Sequence, residues 1–403
     1  MKVLVLSRMY PQPGREHYGV FVHEPLRLLA ARGHAVRVIA PVPRTPPGLA
    51  TLHPAWRRLA RLPSRRELDG IPVDHPRYLL LPRALDLAGA ARRMARAVLA
   101  LPDLDGFDLL HAHFGLPDGA AARRVAERLG IPYLVTSHGS DVLRLANRSP
   151  SAARAIHGGF AGAARVIMVS EAARRRAEAL NLPVARATVL WNGYDASRFL
   201  ATAPPPAAAG PLRVVCVANL VPSKRVDVLL AAAAAARERG ADLRLHVIGS
   251  GSEADALARL AAASDLPVEW TAGLDRDALA AALRRAAVFA LPAEGESFGI
   301  VYLEAMASGL ATLAVAGEGI ADVIADGEDG LLLPAGDVAA WSDALVRLAR
   351  DPALRARLGE GGIRRARGLG WEGHVEALAD IYAEVLAERH GRPSAAGDGE
   401  VGP

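Results

Sequence analysis

The sequence predicts an α/β protein built from two doubly wound parallel sheets, each in its own domain. Short apolar runs alternate with longer helical patterns along nearly the whole chain. Runs such as Lys2–Leu6 are continuously apolar after the first residue, which is typical of strands buried on both faces of a parallel sheet. A proline-rich segment interrupts the pattern near the middle of the 403 residues, a length suited to two domains.

The strand-then-helix order occurs in both halves of the chain, as expected for parallel sheets covered by helices. Strands of the first half are predicted at Lys2–Leu6, Ala35–Ala40, Asp108–Ala112, Pro132–Thr136 and Arg165–Val169. Strands of the second half are predicted at Arg213–Ala218, Leu243–Ile248, Val268–Thr271, Ala287–Leu291 and Ala311–Val315. Helices are predicted at Phe21–Arg32, Ala120–Leu129, Val226–Arg239, Glu253–Ala263 and Ala339–Ala349.

We divide the chain at its proline-rich segment, because four prolines and a glycine there exclude a regular helix or central strand. The predicted parts are a first domain at 1–200, a linker at 201–212, a second domain at 213–370, a C-terminal helix at 371–390 that packs back on the first domain, and a disordered tail at 391–403. In open α/β sheets, ligands bind beyond the carboxyl ends of the strands. We therefore expect the site residues to follow strands and to face a cleft between the two domains.

The composition excludes several classes of protein. Hydrophobic residues make up 51% and charged residues 23%, as in ordinary globular proteins and unlike disordered chains. No uncharged apolar run reaches the roughly 18 residues of a membrane span, and no secretory leader is evident, so we expect a cytoplasmic protein. The single Cys216 lies in a predicted strand and excludes an internal disulfide.

The charge is distributed unevenly. Residues 1–200 carry 29 Lys and Arg against 15 Asp and Glu, whereas residues 201–403 carry 19 against 28. A basic first half indicates an anionic partner, either a membrane surface, a phosphorylated acceptor or nucleic acid, although a solvated arginine surface would look the same. Without a recognisable nucleic-acid-binding module, we expect no nucleic-acid partner.

One basic stretch, Pro54–Glu67, combines arginines with Trp56, Leu59 and Leu62. Its arginines are Arg57, Arg58, Arg61, Arg65 and Arg66. Such a segment can lie on anionic lipid, which would place the protein peripherally on the inner face of the plasma membrane. The alternative is a helix that packs its apolar side inward and exposes its arginines to water.

A carboxylate pair follows the predicted strand Ala287–Leu291. Ser297 is a suitable helix N-cap, so a helix is predicted to begin near Phe298 with free backbone N–H groups, which suit a phosphate. Glu296 and Glu304 lie eight residues apart at this helix start, and carboxylates accept hydrogen bonds from vicinal hydroxyls of a sugar or ribose. On spacing alone, a helix-dipole role for Glu296 and a solvated position for Glu304 are favoured, but the apolar neighbours Val301, Leu303 and Met306 argue against a solvated Glu304.

The Glu296-x7-Glu304 segment resembles the donor-site signature of family 4 glycosyltransferases, which are retaining enzymes with the GT-B fold. The resemblance extends to about residue 390 and includes four further segments. These are His138–Asp141, Asn192–Gly193, Gly249–Gly251 and Asp326–Pro334.

The resemblance implies a UDP- or GDP-linked sugar bound by the second domain and a hydroxyl acceptor, lipid-linked if the enzyme works at a membrane, bound by the first. It implies that Glu304 binds the ribose hydroxyls and Glu296 the donor sugar. The N–H groups of Phe298, Gly299 and Ile300 would meet the sugar and phosphate. Ser297, Gly249 and Gly251 belong to the same implied donor site. No cofactor is implied beyond the sugar nucleotide.

By the same resemblance, the segment that follows the strand Arg213–Ala218 should bind the diphosphate. The family usually offers an arginine and a lysine there; Lys224 matches the lysine, but Asn219 stands at the arginine position. Arg225 is the candidate to replace the missing charge. Lysine and N–H groups can neutralise a diphosphate without a metal, so we expect no metal requirement.

In the first domain, the resemblance implies that His138 reaches the donor sugar near its reacting carbon, and that Gly19 lets the first loop approach the diphosphate. A satisfied structural histidine is the alternative for His138. His111 and His113 lie two apart on a strand and face the same side, but without a third ligand they predict no zinc site. His113 and Asp141 are the acceptor-site candidates.

The predicted function is retaining transfer of a sugar from a nucleotide diphosphate to a hydroxyl, in polysaccharide or glycolipid biosynthesis. Its catalytic residues would be His138, Lys224 and Glu296. The segment from Tyr10 to Glu24 and the Asn219 variant resemble the branch that builds bacterial surface polysaccharides. Two alternatives remain: a sugar-nucleotide epimerase of the same fold, and a non-catalytic partner subunit, which only Asn219 favours.

Overall fold

The computed structural model describes residues 1–45, 48, 54–81, 86–139, 141–206 and 210–391. The chain divides into two compact units. The first unit comprises residues 1–168, 176–190 and the chain from Val375 onward; the second comprises residues 169–175 and 191–374. Each unit has its own parallel sheet and its own hydrophobic core.

The first unit is built on an eight-stranded sheet. Its strands, in chain order, are β1 (Lys2–Leu6), β2 (Ala35–Ile39), β3 (Val42–Pro43), β4 (Arg65–Leu68), β5 (Ile71–Asp74), β6 (Arg77–Tyr78), β7 (Leu109–His113), β8 (Tyr133–Ser137), β9 (Arg165–Met168) and β10 (Thr188–Val189). The order across the sheet is β10-β9-β8-β7-β1-β2-β5-β4, and β3 pairs separately with β6. All pairs are parallel except the β4–β5 hairpin.

The second unit has a six-stranded sheet that is parallel throughout. Its strands are β11 (Leu212–Val217), β12 (Leu243–Ile248), β13 (Val268–Thr271), β14 (Val288–Ala290), β15 (Ala311–Val315) and β16 (Leu331–Leu333). The order β13-β12-β11-β14-β15-β16 is that of a dinucleotide-binding fold, in which the chain reverses direction across the sheet between β11 and β14. Ligands bind such sheets at this point of reversal, beyond the carboxyl ends of the strands.

Helices cover the sheets. In chain order they are α1 (Val20–Ala31), α2 (Pro54–Arg61), α3 (Leu87–Leu99), α4 (Ala120–Leu129), α5 (Pro150–Ala161), α6 (Glu171–Ala179), α7 (Ala196–Phe199), α8 (Val226–Glu238), α9 (Ala254–Ala263), α10 (Arg276–Arg284), α11 (Ile300–Ala307), α12 (Val338–Arg350), α13 (Pro352–Ala366) and α14 (Trp371–His390). None of these helices is both long enough and apolar enough to cross a membrane.

The C-terminal helix α14 completes the core of the first unit. Its Val375, Leu378 and Tyr382 are buried in the same cluster as Val3 and Val5 of β1. The buried Tyr382 hydroxyl lies 2.6 Å from Nδ1 of His111, a polar contact that fixes the helix against β7. The chain therefore returns to its first unit after building the second.

The boundary between the units differs from the predicted one. Residues 191–200, which we assigned to the first domain, belong to the second unit because Tyr194 and Phe199 are fully buried in its core. The first part of the predicted linker also packs on the second unit, with the Ala201 N–H donating to Ala307 O over 2.8 Å. Residues 207–209 and the tail from 392 onward lie outside the described residues.

The predicted basic stretch Pro54–Glu67 is not one amphipathic element. Helix α2 ends at Arg61, Pro63 follows, and Arg65 already belongs to strand β4. Arg66 donates to the carbonyl of Pro11, and its Nε lies 3.2 Å from Nε2 of His75. The five arginines of the stretch are therefore divided between a helix and a strand, since proline follows the helix before the last two.

Helix α13 makes a close backbone approach that only glycine permits. A Cβ added at Gly359 would overlap the carbonyl oxygen of Gly309, the residue that ends the turn after α11. We therefore expect Gly359→Ala to lower the free energy of unfolding by about 1–3 kcal/mol, the usual cost of overpacking. Chemical denaturation would measure this, with Gly368→Ala as the control, because a Cβ at Gly368 meets no atom within 4 Å. Equal stability of the two variants would contradict the close approach.

Candidate active site

The candidate donor residues lie on both sides of the point where the second sheet reverses its strand order. Asn219 and Lys224 follow β11, and Glu296 follows β14, the neighbouring strand. The carboxyl ends of these strands lie side by side, so residues 72 apart in sequence come together. This is the edge at which open α/β sheets bind their ligands.

Lys224 and Glu296 form an ion pair. The ammonium group of Lys224 donates to Oε2 of Glu296, and the two side chains are 22% and 16% exposed. Oε1 of Glu296 accepts from the N–H of Ser297 over 3.1 Å. A cation and a carboxylate are thus fixed together just before helix α11, still accessible to a ligand.

Arg225, the candidate to replace the arginine for which this chain has Asn219, is already paired with carboxylates. Its backbone is left-handed, with φ 47°. Its guanidinium pairs with Glu294 and lies 3.3 Å from Asp227. Two carboxylates pair with Arg225 and, among the described residues, only Glu296 is seen to pair with Lys224, so Lys224 is the better candidate to bind a diphosphate. Asn219 is exposed at the end of β11.

The helix after Glu296 begins later than predicted. Its N-cap is Gly299, with φ 83°, and the first helical residue is Ile300 rather than Phe298. Ser297 is therefore not the N-cap of this helix. Its carbonyl oxygen accepts from Ser170 Oγ over 2.6 Å. The N–H groups of Phe298 and Gly299 donate to no group in the described part of the chain, so both are available to an anion.

Glu304 is buried and paired with Arg276. The Glu304 side chain is 3% exposed, and its Oε1 lies 2.6 Å from the guanidinium of Arg276, the first residue of α10. Burial raises the pKa of Glu304, while Arg276 opposes that rise. The guanidinium also lies 4.9 Å from the centre of the Phe199 ring. Glu304 is thus not on a solvated face, and its Oε2 has no partner among the described residues.

Two glycines shape the loop beside these groups. A Cβ on Gly249, whose φ is 147°, would overlap the carbonyl oxygen of Ala218, and one on Gly251 would overlap that of Leu220. A cavity of about 250 Å³ lies here, lined by Asn219, Gly249 and other residues that follow β11, β12 and β13. The glycines therefore bring the loops after β11 and β12 close together beside this cavity.

In the first unit, His138 and His113 form a stacked pair. His138 follows β8 and His113 ends β7, with His113 Nδ1 2.9 Å from His138 Nε2. The rings are nearly parallel, at 16°, with centroids 5.2 Å apart. The rings of Phe21 and Phe114 also contact His138, at centroid distances of 4.7 and 4.9 Å. His113 therefore orients His138, and its contact with an acceptor stays a prediction.

His111 lies on the same side of β7 as His113, as its spacing predicted, with ring centroids 4.4 Å apart. It is buried deeper, between the hydroxyls of Tyr382 and Thr136 at 2.6 and 2.8 Å. This imidazole joins β7, β8 and α14 and belongs to the core of the first unit.

Asp141, the other acceptor candidate, is fully buried. Its Oδ2 accepts from the N–H of Gly115 and its Oδ1 from Ser137 Oγ, both over 2.7 Å. Burial raises its pKa. Because the chain itself uses both oxygens, Asp141 holds the loops after β7 and β8 in place rather than facing an acceptor.

Gly19 begins helix α1 in the left-handed conformation, with φ 77°. A Cβ there would overlap the carbonyl oxygen of Met9. Glycine is therefore required for the first loop to fold back on itself, which brings Met9 and the start of α1 together.

An ion pair beside this loop was not predicted. Arg8 follows β1, and its Nε lies 3.2 Å from Oδ2 of the fully buried Asp118. The backbone N–H of Arg8 donates to Oδ1 of the same carboxylate over 2.8 Å. The half-buried guanidinium also lies 5.8 Å from the centre of the Phe114 ring. Position after a strand could have signalled Arg8, but nothing local marks Asp118, which is 110 residues away.

Asp118 should give the protein a distinct pH dependence. Burial raises its pKa to about 6, against the partial opposition of Arg8. A carboxyl with a raised native pKa binds its proton more tightly in the folded state, so its contribution to stability is lost as pH rises from about 4 to 6. We expect Asp118→Asn, which keeps an acceptor oxygen, to abolish this component. Denaturation of both proteins across pH 4–8 would measure it; parallel curves would contradict the prediction.

Known proteins match this chain over nearly its whole length. The family model for glycosyltransferase family 4 matches residues 19–198, and that for glycosyl transferases group 1 matches residues 202–365. A D-inositol 3-phosphate glycosyltransferase from Frankia alni is 31% identical over 406 residues, covering 93% of this chain and 97% of the relative.

Solved structures show the same fold. Sucrose-phosphate synthase from Thermosynechococcus elongatus superposes with a TM-score of 0.79 at 21% identity, covering 96% of this chain and all of that one. Anabaena HepE, solved in complex with UDP and glucose, gives a TM-score of 0.71 at 17% identity over 95% of this chain and all of that one. The fold is GT-B, and the chain belongs to the family 4 glycosyltransferases, as the Glu296-x7-Glu304 segment indicated.

Proposed function

We propose that this glycosyltransferase moves a sugar from a nucleotide diphosphate to a hydroxyl acceptor with retention of configuration. The second unit would bind the donor and the first unit the acceptor. The observation that carries the proposal is the grouping of Lys224, Glu296 and Glu304 around the start of α11, where the second sheet reverses its strand order.

Each group has a chemical task in this proposal. Lys224 and the free N–H groups of Phe298 and Gly299 offer positive charge to the diphosphate, which gains negative charge as it leaves. Glu296, adjacent to Lys224, accepts hydroxyls of the sugar, and Glu304 accepts those of the ribose. His138, held by His113, lies in the other unit and would contact the sugar near its reacting carbon.

Retention fits the lack of an evident covalent nucleophile. The proposed step is attack by the acceptor hydroxyl on the face that the diphosphate leaves: a new C–O bond forms, the sugar–phosphate bond breaks, and the departing phosphate oxygen takes the hydroxyl proton. The protein would then act by positioning and charge stabilisation. NMR of the product's anomeric proton tests this, because an inverted product would exclude the proposed step.

The donor and the metal requirement can be tested together. Nucleotide release from a panel of UDP-, GDP- and ADP-sugars should identify one base and one sugar, with the UDP- and GDP-sugars as our candidates. Because Lys224 and N–H groups supply the charge, activity should persist in a chelator. A nucleotide sugar that is altered without transfer would instead indicate an epimerase, and absence of turnover with every donor and acceptor would favour a non-catalytic subunit.

We further propose an acceptor that carries a phosphate group. The support is the basic first half of the chain, the half-buried guanidinium of Arg8, and the name of the relative from Frankia alni, which refers to inositol 3-phosphate. A lipid-linked sugar and a soluble phosphorylated polyol share this chemistry, and surface-polysaccharide or glycolipid synthesis would use the former. Assays with the lipid extract and the soluble metabolite fraction of the host cell distinguish these sources.

Binding of the first unit to an anionic membrane surface is part of the same proposal. Of the basic stretch, Arg57 and Arg61 are exposed on α2, and Trp56 and Arg58 beside them are half-buried. Because each arginine near an anionic surface adds about 1 kcal/mol, three together give weak, salt-sensitive binding. We expect the protein to sediment with anionic but not with neutral vesicles. Replacing Arg57, Arg58 and Arg61 together by glutamine should abolish this sedimentation. Equal sedimentation on both lipids would leave the protein without a specific membrane surface.

A further inference from the structure

A larger cavity lies at the opposite edge of the second sheet from the proposed donor site. Its volume is about 390 Å³, within the range of small-molecule sites. It is lined by residues that precede β11, β12, β14 and β15, such as Pro211, Asp242, Ala287 and Gly309. Since a six-residue strand spans roughly 20 Å, this cavity is remote from Lys224 and Glu296.

Five arginines surround this cavity, although the second half of the chain is acidic overall. They are Arg213, Arg284, Arg285, Arg350 and Arg355. The only carboxylate in the lining is that of Asp242. The cavity is thus a local concentration of positive charge.

The cavity arginines differ from other arginines of the second unit in their partners. Elsewhere in the second unit, Arg198, Arg239 and Arg365 are paired with carboxylates. None of the five cavity arginines forms an ion pair within the residues that the structure describes. The guanidinium groups of Arg284, Arg350 and Arg355 donate to backbone carbonyls, whereas those of Arg213 and Arg285 have no hydrogen-bond partner among the described residues. Guanidinium groups arranged in this way suit the oxygens of phosphate or carboxylate.

Part of the wall of the cavity is built from proline, whose φ is fixed by its ring. Five prolines line it: Pro204, Pro205, Pro206, Pro211 and Pro352. Pro204 is held against the turn after α11, since a Cβ added to Gly309 would lie 2.7 Å from its Cα. Arg355 is half-buried, and burial lowers its pKa, so an anion beside it would offset the cost of desolvating its charge. A preformed site of this kind loses little entropy on binding.

We propose that this arginine-lined cavity is a second ligand site, which binds a small metabolite carrying two or more phosphoryl charges. The site is separate from the donor site and does not depend on the function proposed above. It would let a phosphorylated compound bind the second unit while the sugar nucleotide occupies the other edge of the sheet.

Equilibrium dialysis with radiolabelled inorganic pyrophosphate at physiological ionic strength tests the proposal. The variant is Arg213→Gln/Arg285→Gln, whose side chains are exposed and make no contact that the fold needs. The control is Arg259→Gln/Arg347→Gln, which removes two exposed arginines of the same unit that do not line the cavity. Thermal unfolding of all three proteins verifies that they are folded.

We expect the variant to bind one equivalent of pyrophosphate fewer than the wild type, or to bind it at least tenfold more weakly, with the control unchanged. Pyrophosphate bound at the donor site should be the same in all three proteins, so it does not contribute to the difference between them. Equal binding by wild type and variant would overturn the proposal, as would the same loss in the control. Failure of the wild type to bind at millimolar pyrophosphate, or binding of a polyanionic polymer alone, would overturn it as well.

Discussion

We expect Lys224→Ala to lower kcat by about 10²–10³-fold, because it removes a partly exposed cation from the place where the diphosphate would leave. Arg225 is held by Glu294 and Asp227, so it should compensate little. The measurement is steady-state transfer with the donor identified by the panel. An unchanged kcat in Lys224→Ala, with a severe loss in Arg225→Ala, would move the role to Arg225.

Glu296→Ala should be similarly severe, since it removes a sugar-binding carboxylate and leaves Lys224 without its partner. Because the two side chains touch, the double variant Lys224→Ala/Glu296→Ala should lose less than the product of the single losses. Asp326, a carboxylate elsewhere in the second unit, offers the control Asp326→Asn. Wild-type turnover in Glu296→Ala would refute its assignment to the donor site.

Arg276→Gln should make nucleotide binding depend on pH. Burial already raises the pKa of Glu304, and Arg276 is the group that holds it down. Without Arg276, the pKa of Glu304 should rise further, so that protonation of the carboxyl, which weakens its acceptance of ribose hydroxyls, extends to higher pH. Affinity of the variant should therefore be lower than that of the wild type at the acid end of the range and should recover as pH increases.

The other charged groups near Glu304 do not reproduce this effect. Asp195 of the segment before α7 raises the pKa of Glu304, and Arg198 lies between Asp195 and Asp277. Titration calorimetry with the donor nucleotide from pH 6 to 9 would compare wild type, Arg276→Gln and the control Arg365→Gln. Glu304→Ala should bind weakly at every pH. A flat profile for Arg276→Gln, equal to that of the wild type, would contradict the coupling.

The sequence predicted the sheets well because their strands are buried on both faces. All ten predicted strands form, since runs such as Ala311–Val315 carry apolar residues at nearly every position. The β4–β5 hairpin was missed because β4, Arg65–Leu68, is a charged edge strand with no apolar run. The three-residue β16 was too short to stand out.

The candidate site was predicted only as far as local patterns reach. Placement after a strand identified Lys224 and Glu296, but not that they pair. The pairing of Arg276 with Glu304 and of Arg8 with Asp118 depends on contacts across 28 and 110 residues, which no local pattern encodes. The prediction of Ser297 as the helix N-cap was wrong because the helix begins later, after a left-handed Gly299. The contact of His113 with His138 was not predicted, because it joins residues 25 apart in sequence.

The way the chain divides between its units limits how such enzymes can exchange halves. The second unit takes residues 169–175 and 191–200 from before the proline-rich segment, and Tyr194 and Phe199 are part of its core. A hybrid of two relatives joined within 201–212 would combine Tyr194 and Phe199 from one parent with the core of the other. Recombination, natural or engineered, should therefore succeed with four junctions, near 168, 175, 190 and 374, which keep each unit from one parent, and should give insoluble protein when made at the prolines.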